Sequence, residues 1–281
     1  MLLNYLFNRS AAARDQGESV RWRGEGVSRI EGLSDTVFGF AITLLVVSLE
    51  VPKTAADLLE TMLGVIPFVG SFTALFIIWR AQFDFFRRYG LEDRTTVRLT
   101  GMLLMGVLFA VYSVKFLFTF ILLTLPRAIL TGHMDVVKQV MPIERLPQVF
   151  GLYGVGLLWV GLVFNRLYAH ALRSHDTLEL SVLETFDAKD MWRRWGYVAG
   201  LGAFIVLWSA AVLATGAHLR ARDDVFDAVY YGGEVVLVLF ALTRVQLRRR
   251  RLRERALLVT QLAVAHPEET GVRADTDVMA R

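Results

Sequence analysis

The sequence predicts an all-α, polytopic membrane protein with six transmembrane helices, and three observations lead there. Of its 281 residues, 54% are hydrophobic and the mean hydropathy is +0.45, which is too apolar for a soluble domain of this length. The apolar residues gather into blocks near 33–49, 63–86, 99–125, 148–168, 195–217 and 225–243, each close to what crosses a hydrocarbon core at about 1.5 Å per residue. The arginines fall on alternate connections. Arg14, Arg21, Arg23 and Arg29 precede the first block, Arg87, Arg88, Arg94 and Arg98 join the second to the third, and Arg173, Lys189, Arg193 and Arg194 join the fourth to the fifth. Arg244 and the run Arg248 to Arg255 follow the sixth, while the other side carries only Lys53, Arg127, Lys138, Arg145, Arg220 and Arg222. By the positive-inside rule both termini face the cytoplasm.

The chain divides into a cytoplasmic segment (1–28), a six-helix membrane domain (29–246) and a basic, then polar, cytoplasmic tail (247–281). The first block is expected to stay in the mature protein, because a charged stretch precedes it and no small-residue cleavage site follows before Pro52. The net charge of +4 does not point to nucleic acid. The arginines flank spans, where they anchor helices and meet lipid headgroups.

Block one, "RIEGLSDTVFGFAITLLVVSLEVP", has no formal charge between Asp35 and Glu50. On a helix Thr36, Phe40, Thr43, Leu44 and Val47 share one stripe. Facing lipid, its hydroxyls bond back to the backbone; facing a central axis, it forms a hydrophobic constriction that conducts when wetted. Asp35 needs a partner, with Arg29, Arg80 and Arg166 as candidates, or else the free amides of a helix start. Ser34 shares either role.

The loop "KTAADLLETM" has room for a helical turn, and block two places Trp79, Arg80 and Asp84 along a polar seam. Block three buries Lys115, read as a cation reaching toward the outer interface past Tyr112. Pro126, Pro142 and Pro147 argue against one continuous helix across 126–147. Block four carries Gly151, Gly154, Gly156 and Gly161, which allow close helix approach. Trp192, Trp195 and Trp208 of block five read as interface anchors. Glu234 lies near the outer end of block six.

No thiol chemistry is available, since the chain has no cysteine, and its five histidines show no metal-ligand spacing. No metal site and no cofactor are expected. Asp35, Asp84 and Glu234 lie at different depths and form no carboxylate pair, so the chain does not read as an enzyme. Without an inverted repeat or a broken helix, secondary transport is also disfavoured.

"RIEGLSDTVFGFAITLLV" resembles the first-helix signature of the transmembrane protein 175 family of potassium channels. Arg29, Ser34 and Asp35 match its polar part and Thr43 its threonine. The resemblance implies passive potassium conduction in a prokaryotic cell membrane by a homotetramer with a non-canonical pore. The first helix of each subunit lines that pore, constricted at Phe40, Leu44 and Val47. Leu33 replaces the usual phenylalanine and Phe40 the usual isoleucine. Trp79 matches the family's second-helix tryptophan, but Gln82 and Phe83 follow where a histidine is usual, and only Thr100 stands near the usual asparagine of the third helix. No "TVGYG"-like filter occurs, so selectivity falls to the constriction and its hydroxyl ring. Potassium ions and membrane lipids are the implied partners. The alternative reading is a non-conducting membrane subunit whose first helix packs against another protein.

Overall fold

The computed structural model describes residues 23, 26–47 and 51–218, and of the C-terminal segment 251, 253–255, 257, 258 and 260. Every regular element among them is helical: α1 (Arg29–Val47), α2 (Ala55–Leu63), α3 (Val65–Tyr89), α4 (Arg94–Thr119), a π turn (Phe120–Thr124), α5 (Leu125–Thr131), α6 (Met134–Val140), a 3-10 turn (Ile143–Arg145), α7 (Leu146–Arg173), α8 (His175–Leu178) and α9 (Val182–His218). Five stretches, Arg29–Val47, Ala55–Tyr89, Arg94–Thr131, Leu146–Arg173 and Val182–Ala214, are long and apolar enough to cross a membrane. The chain is therefore an all-α, polytopic membrane protein. The sixth block, with Glu234, Arg220 and Arg222, lies outside the described residues, as do most of the N-terminal segment, Glu50 and the end of the tail.

Local chemistry sets the helix ends. Ser28 and Glu31 form a capping box at the start of α1: the Ser28 N–H donates to Glu31 Oε2 at 2.8 Å and the Glu31 N–H to Ser28 Oγ at 3.2 Å. Gly64 separates α2 from α3. Helix α3 ends at Gly90, whose φ of 57° is left-handed and whose N–H donates to the Phe86 carbonyl at 2.8 Å. A Cβ there would also press on the backbone of Arg23 at 3.2 Å, so conformation and space both call for glycine. Asp93 caps α4, accepting from the amides of Thr95 and Thr96.

Pro126 does not end the third span. A proline inside a helix removes one bond to the carbonyl four residues back and crowds that carbonyl. Here the π turn lies directly ahead of it, and the Leu125 N–H bonds to Phe120 five residues back, so the helix runs on to Thr131. The interruptions come later, at Gly132 with φ of 73° and around Met141 and Pro142, where the connection breaks into short helical pieces.

The core joins α1, α3, α4 and α7 through Phe38, Leu45, Phe85, Leu103, Phe164 and Leu167. In lipid, such helices are held by close packing and interhelical hydrogen bonds. Helices α7 and α9 pack most extensively. A Cβ on Gly161 would strike the backbone of Ala199, and one on Gly202 the backbone of Leu158. Gly154 sits against Gly202, Ile205 and Val206, whereas Gly156 faces open space and takes no part in the contact. The Trp195 ring stacks on Phe164 at 4.2 Å between the two helices, and Trp208 meets Phe150 edge-on at 6.0 Å.

Polar contacts tie one end of the bundle together. Arg23, ahead of α1, pairs with Glu184 at 2.9 Å and also donates to the carbonyls of Arg88 and Glu179. Asp187 accepts from Arg88 at 3.4 Å and from Arg255 at 3.0 Å. His170 of α7 meets Asp93 at 3.0 Å. This shared end carries the basic flanks of α3 and α4.

Candidate functional site

Helix α1 has two unlike faces. Ser34, Phe38, Ala41 and Leu45 are buried against the rest of the chain. The opposite face is open: Phe40 is 55% exposed and Val47 78%, and Asp35, Thr36 and Thr43 are exposed beside them. Of the stripe read from the sequence, only Leu44 turns partly inward, where it packs against the core. The Thr36 hydroxyl donates to the Gly32 carbonyl at 2.8 Å and the Thr43 hydroxyl to the Phe40 carbonyl at 2.7 Å. Their protons are thereby engaged, which leaves oxygen lone pairs facing outward.

The polar collar is fastened by α3. Trp79 donates its indole N–H to Asp35 Oδ1 at 2.7 Å, and Gln82, three residues along the same face, donates its amide N–H to Ser34 Oγ at 2.8 Å. Neighbouring residues of α1 are thus held by one face of α3, because residues three apart on a helix lie together. Asp35 bonds to the indole rather than to Arg29, Arg80 or Arg166. Arg80 is engaged within its own helix, pairing with Asp84 at 3.1 Å. Nor does Asp35 mark a helix start, since α1 opens about two turns earlier at the Ser28 capping box.

Gln82 is a contributor that the sequence reading passed over. Its amide occupies the position where the resemblance led one to look for a ring, and at 2% exposure it is wholly buried. Ser34 also donates to the Ile30 carbonyl at 2.7 Å. A hydroxyl has one proton, so Ser34 Oγ accepts from Gln82, which fixes the Gln82 amide nitrogen toward Ser34 and its carbonyl oxygen away. Thr100 is buried with no hydrogen-bond partner for its hydroxyl and adds no polar link to α1. Lys115 is half-buried in α4, one turn before the π turn, and its carbonyl accepts from Thr119.

An exposed stripe of phenylalanine, valine and threonine, held at a fixed rotation by two hydrogen bonds from behind, can line a narrow passage when copies of the chain assemble. It offers no nucleophile and no general base.

The chain is similar to known potassium channels. The family model described as the endosomal/lysosomal potassium channel TMEM175 matches residues 29–111. A potassium channel of Marivirga tractuosa is 35% identical over 174 residues, which cover 60% of this chain and 68% of that protein. A potassium channel of Chamaesiphon minutus is 29% identical over 151 residues, or 51% of this chain and 64% of the relative. Among solved structures, a crystal structure of a threonine-to-alanine variant of the potassium channel MtTMEM175, bound to a nanobody fusion, superposes with a TM-score of 0.61 at 28% identity. That match covers 80% of this chain and 97% of the other.

Proposed function

The chain belongs to the TMEM175 family, and from that premise we propose that it is a potassium-permeable channel whose first helices, one from each of four subunits, surround a central pore. The observation that carries this reading is the division of α1 into a face buried in its own subunit and an open face bearing Phe40, Thr43 and Val47. Phe40 forms the narrow point, Val47 a second apolar ring, and Leu44 lies at their edge. Thr43 supplies hydroxyl oxygens between them. An apolar constriction passes ions only when wetted, so ring size sets conductance and the closed state together. Ser34, Asp35, Trp79 and Gln82 fix the rotation of α1 and with it which side chains reach the axis.

The end that gathers the arginine-rich flanks faces the cytoplasm. Passive conduction needs no cofactor, and ions move down their electrochemical gradient.

Potassium flux from liposomes holding the purified protein, run beside sodium, tests the reading. Flux in the wild type that changes with the side chain at position 40 supports it. Absence of flux, with insertion and assembly verified, would favour a non-conducting subunit whose open α1 face docks on another membrane protein.

A further inference from the structure

The Arg23 guanidinium sits in a socket drawn from three separate parts of the chain. Its Nη1 donates to Glu184 Oε1 at 2.9 Å and to the Arg88 carbonyl at 3.3 Å. Its Nη2 donates to Glu184 Oε2 at 3.0 Å and to the Glu179 carbonyl at 3.3 Å. A guanidinium set fork-on-fork against a carboxylate is among the stronger polar contacts. The two side chains are 17% and 9% exposed, so water screens this pair less than it does a surface pair. The socket is held in shape by its own residues: Glu184 Oε2 also accepts from the Ser181 N–H at 2.9 Å. Glu179 takes a left-handed φ of 45°, uncommon for a residue with a Cβ. Arg23 lies just ahead of α1, which begins at Arg29. Between them, Gly26, Val27 and Ser28 border an open cavity of about 240 Å³ whose other side includes Phe86, Gly90 and Glu92. The lead into α1 therefore stands off α3 there, and Arg23 fastens it to the rest of the subunit.

Resting on the reading of α1 as the pore helix, we infer that Arg23 is a positioning residue for conduction: its socket tethers the cytoplasmic end of α1 to its own subunit and keeps the Phe40 rings far enough apart to wet. Apolar rings around an axis gain by closing on one another and shedding water, and a dry constriction does not conduct. A tether from each α1 back to its own subunit opposes that closure. Release from the socket is costly, because Glu184 would be left largely buried without its partner. The hydrogen bonds from Trp79 and Gln82 hold α1 at Asp35 and Ser34, so the tether adds a fixed point ahead of the helix to those within it.

The test is potassium flux from liposomes, read per assembled channel, for Arg23→Ala in the wild-type and in the Phe40→Ala background. Arg23→Ala is expected to lower flux several-fold in the wild-type background and to change it little once the ring at position 40 is gone. A folding defect would lower flux in both backgrounds, so the comparison separates positioning from stability. Arg23→Lys, which keeps the charge and loses the fork, is expected to fall between the wild type and Arg23→Ala. Glu184→Gln keeps an oxygen for the Ser181 amide while removing the charge that faces Arg23. It is expected to lower flux as well, and to add nothing to Arg23→Ala, since the two changes break one contact. Flux that rises in Phe40→Ala but is indifferent to Arg23→Ala would overturn the tether and leave the pore reading standing. A loss that persists in the Phe40→Ala background would overturn it too. No flux from the wild type or from Phe40→Ala, with insertion and assembly verified, would remove the pore reading and the tether with it.

Discussion

The indole nitrogen of Trp79 stands 2.7 Å from Asp35 Oδ1, so the first span is fastened to the second by a bond between residues far apart in sequence. The bond sits one helical turn below Phe40, where a small change in roll becomes a large change in which ring faces outward. Trp79→Phe keeps an aromatic ring beside Phe76 and Phe83 but removes the donor. It should cost about 1.5 kcal/mol, the low end for a hydrogen bond to a charged group because Asp35 is exposed. Tm and the oligomer fraction in size-exclusion chromatography read this, and an unchanged profile would show that the bond does not hold α1.

Phe40 is the largest side chain on the open face of α1. Its replacement by alanine leaves the buried stripe untouched, so Phe40→Ala should fold and assemble normally while raising leak flux. Equal flux from a correctly assembled variant would remove Phe40 as the constriction.

The α7–α9 contact makes a sharper distinction between glycines. Gly202→Ala forces a methyl group onto the Leu158 backbone and should destabilise by about 1–3 kcal/mol as overpacking. Gly156→Ala, with nothing within 4 Å of its Cβ, should keep Tm or raise it, since alanine is the better helix former. Similar losses in both would mean that the two helices do not pack through these residues.

Acid should loosen the start of α4. Burial by itself would raise the Asp93 carboxyl, but hydrogen bonds from the Thr96 side chain, the Thr95 amide and His170 outweigh it and hold the group at about 2. The folded value lies below the unfolded one of about 3.9. The cap therefore contributes fully above about pH 4 and is lost as pH falls from there toward 2. Asp93→Asn keeps a capping side chain without the titration, so its Tm should fall less than that of the wild type across this window. Parallel Tm profiles would count against the cap.

Five of the six expected spans were legible in the sequence because composition and length decide them, the sixth lying outside the described residues, and helical periodicity grouped Thr36, Phe40, Thr43 and Val47 on the side away from the core. Side-chain partners were not legible. Asp35 was matched to arginines on charge alone, yet the residue opposite it is set by how α3 rolls against α1, which presents Trp79 and Gln82. The presence of Gln82 just after Trp79 was the available signal: an amide can donate to a serine as an imidazole can. Gly156 and Gly161 look alike in sequence and differ only in which side of α7 meets α9. The passage of the helix through Pro126 depends on hydrogen bonds five residues apart, which no residue pattern announced.

That π turn bears on the ancestry of the third span. A π turn holds one residue more than the α-helix it interrupts, as a single-codon insertion would leave it. Deleting one residue within Phe120–Thr124 would restore ordinary winding and leave everything from Leu125 onward on much the same face, because the wider turn absorbs the extra residue. Gly70 of α3 is crowded by Phe118 and Leu122 on this stretch, so the turn is packed against the neighbouring span. In aligning relatives of this protein, a one-residue gap at this place is absorbed by the turn, and residues beyond it correspond by face rather than by count.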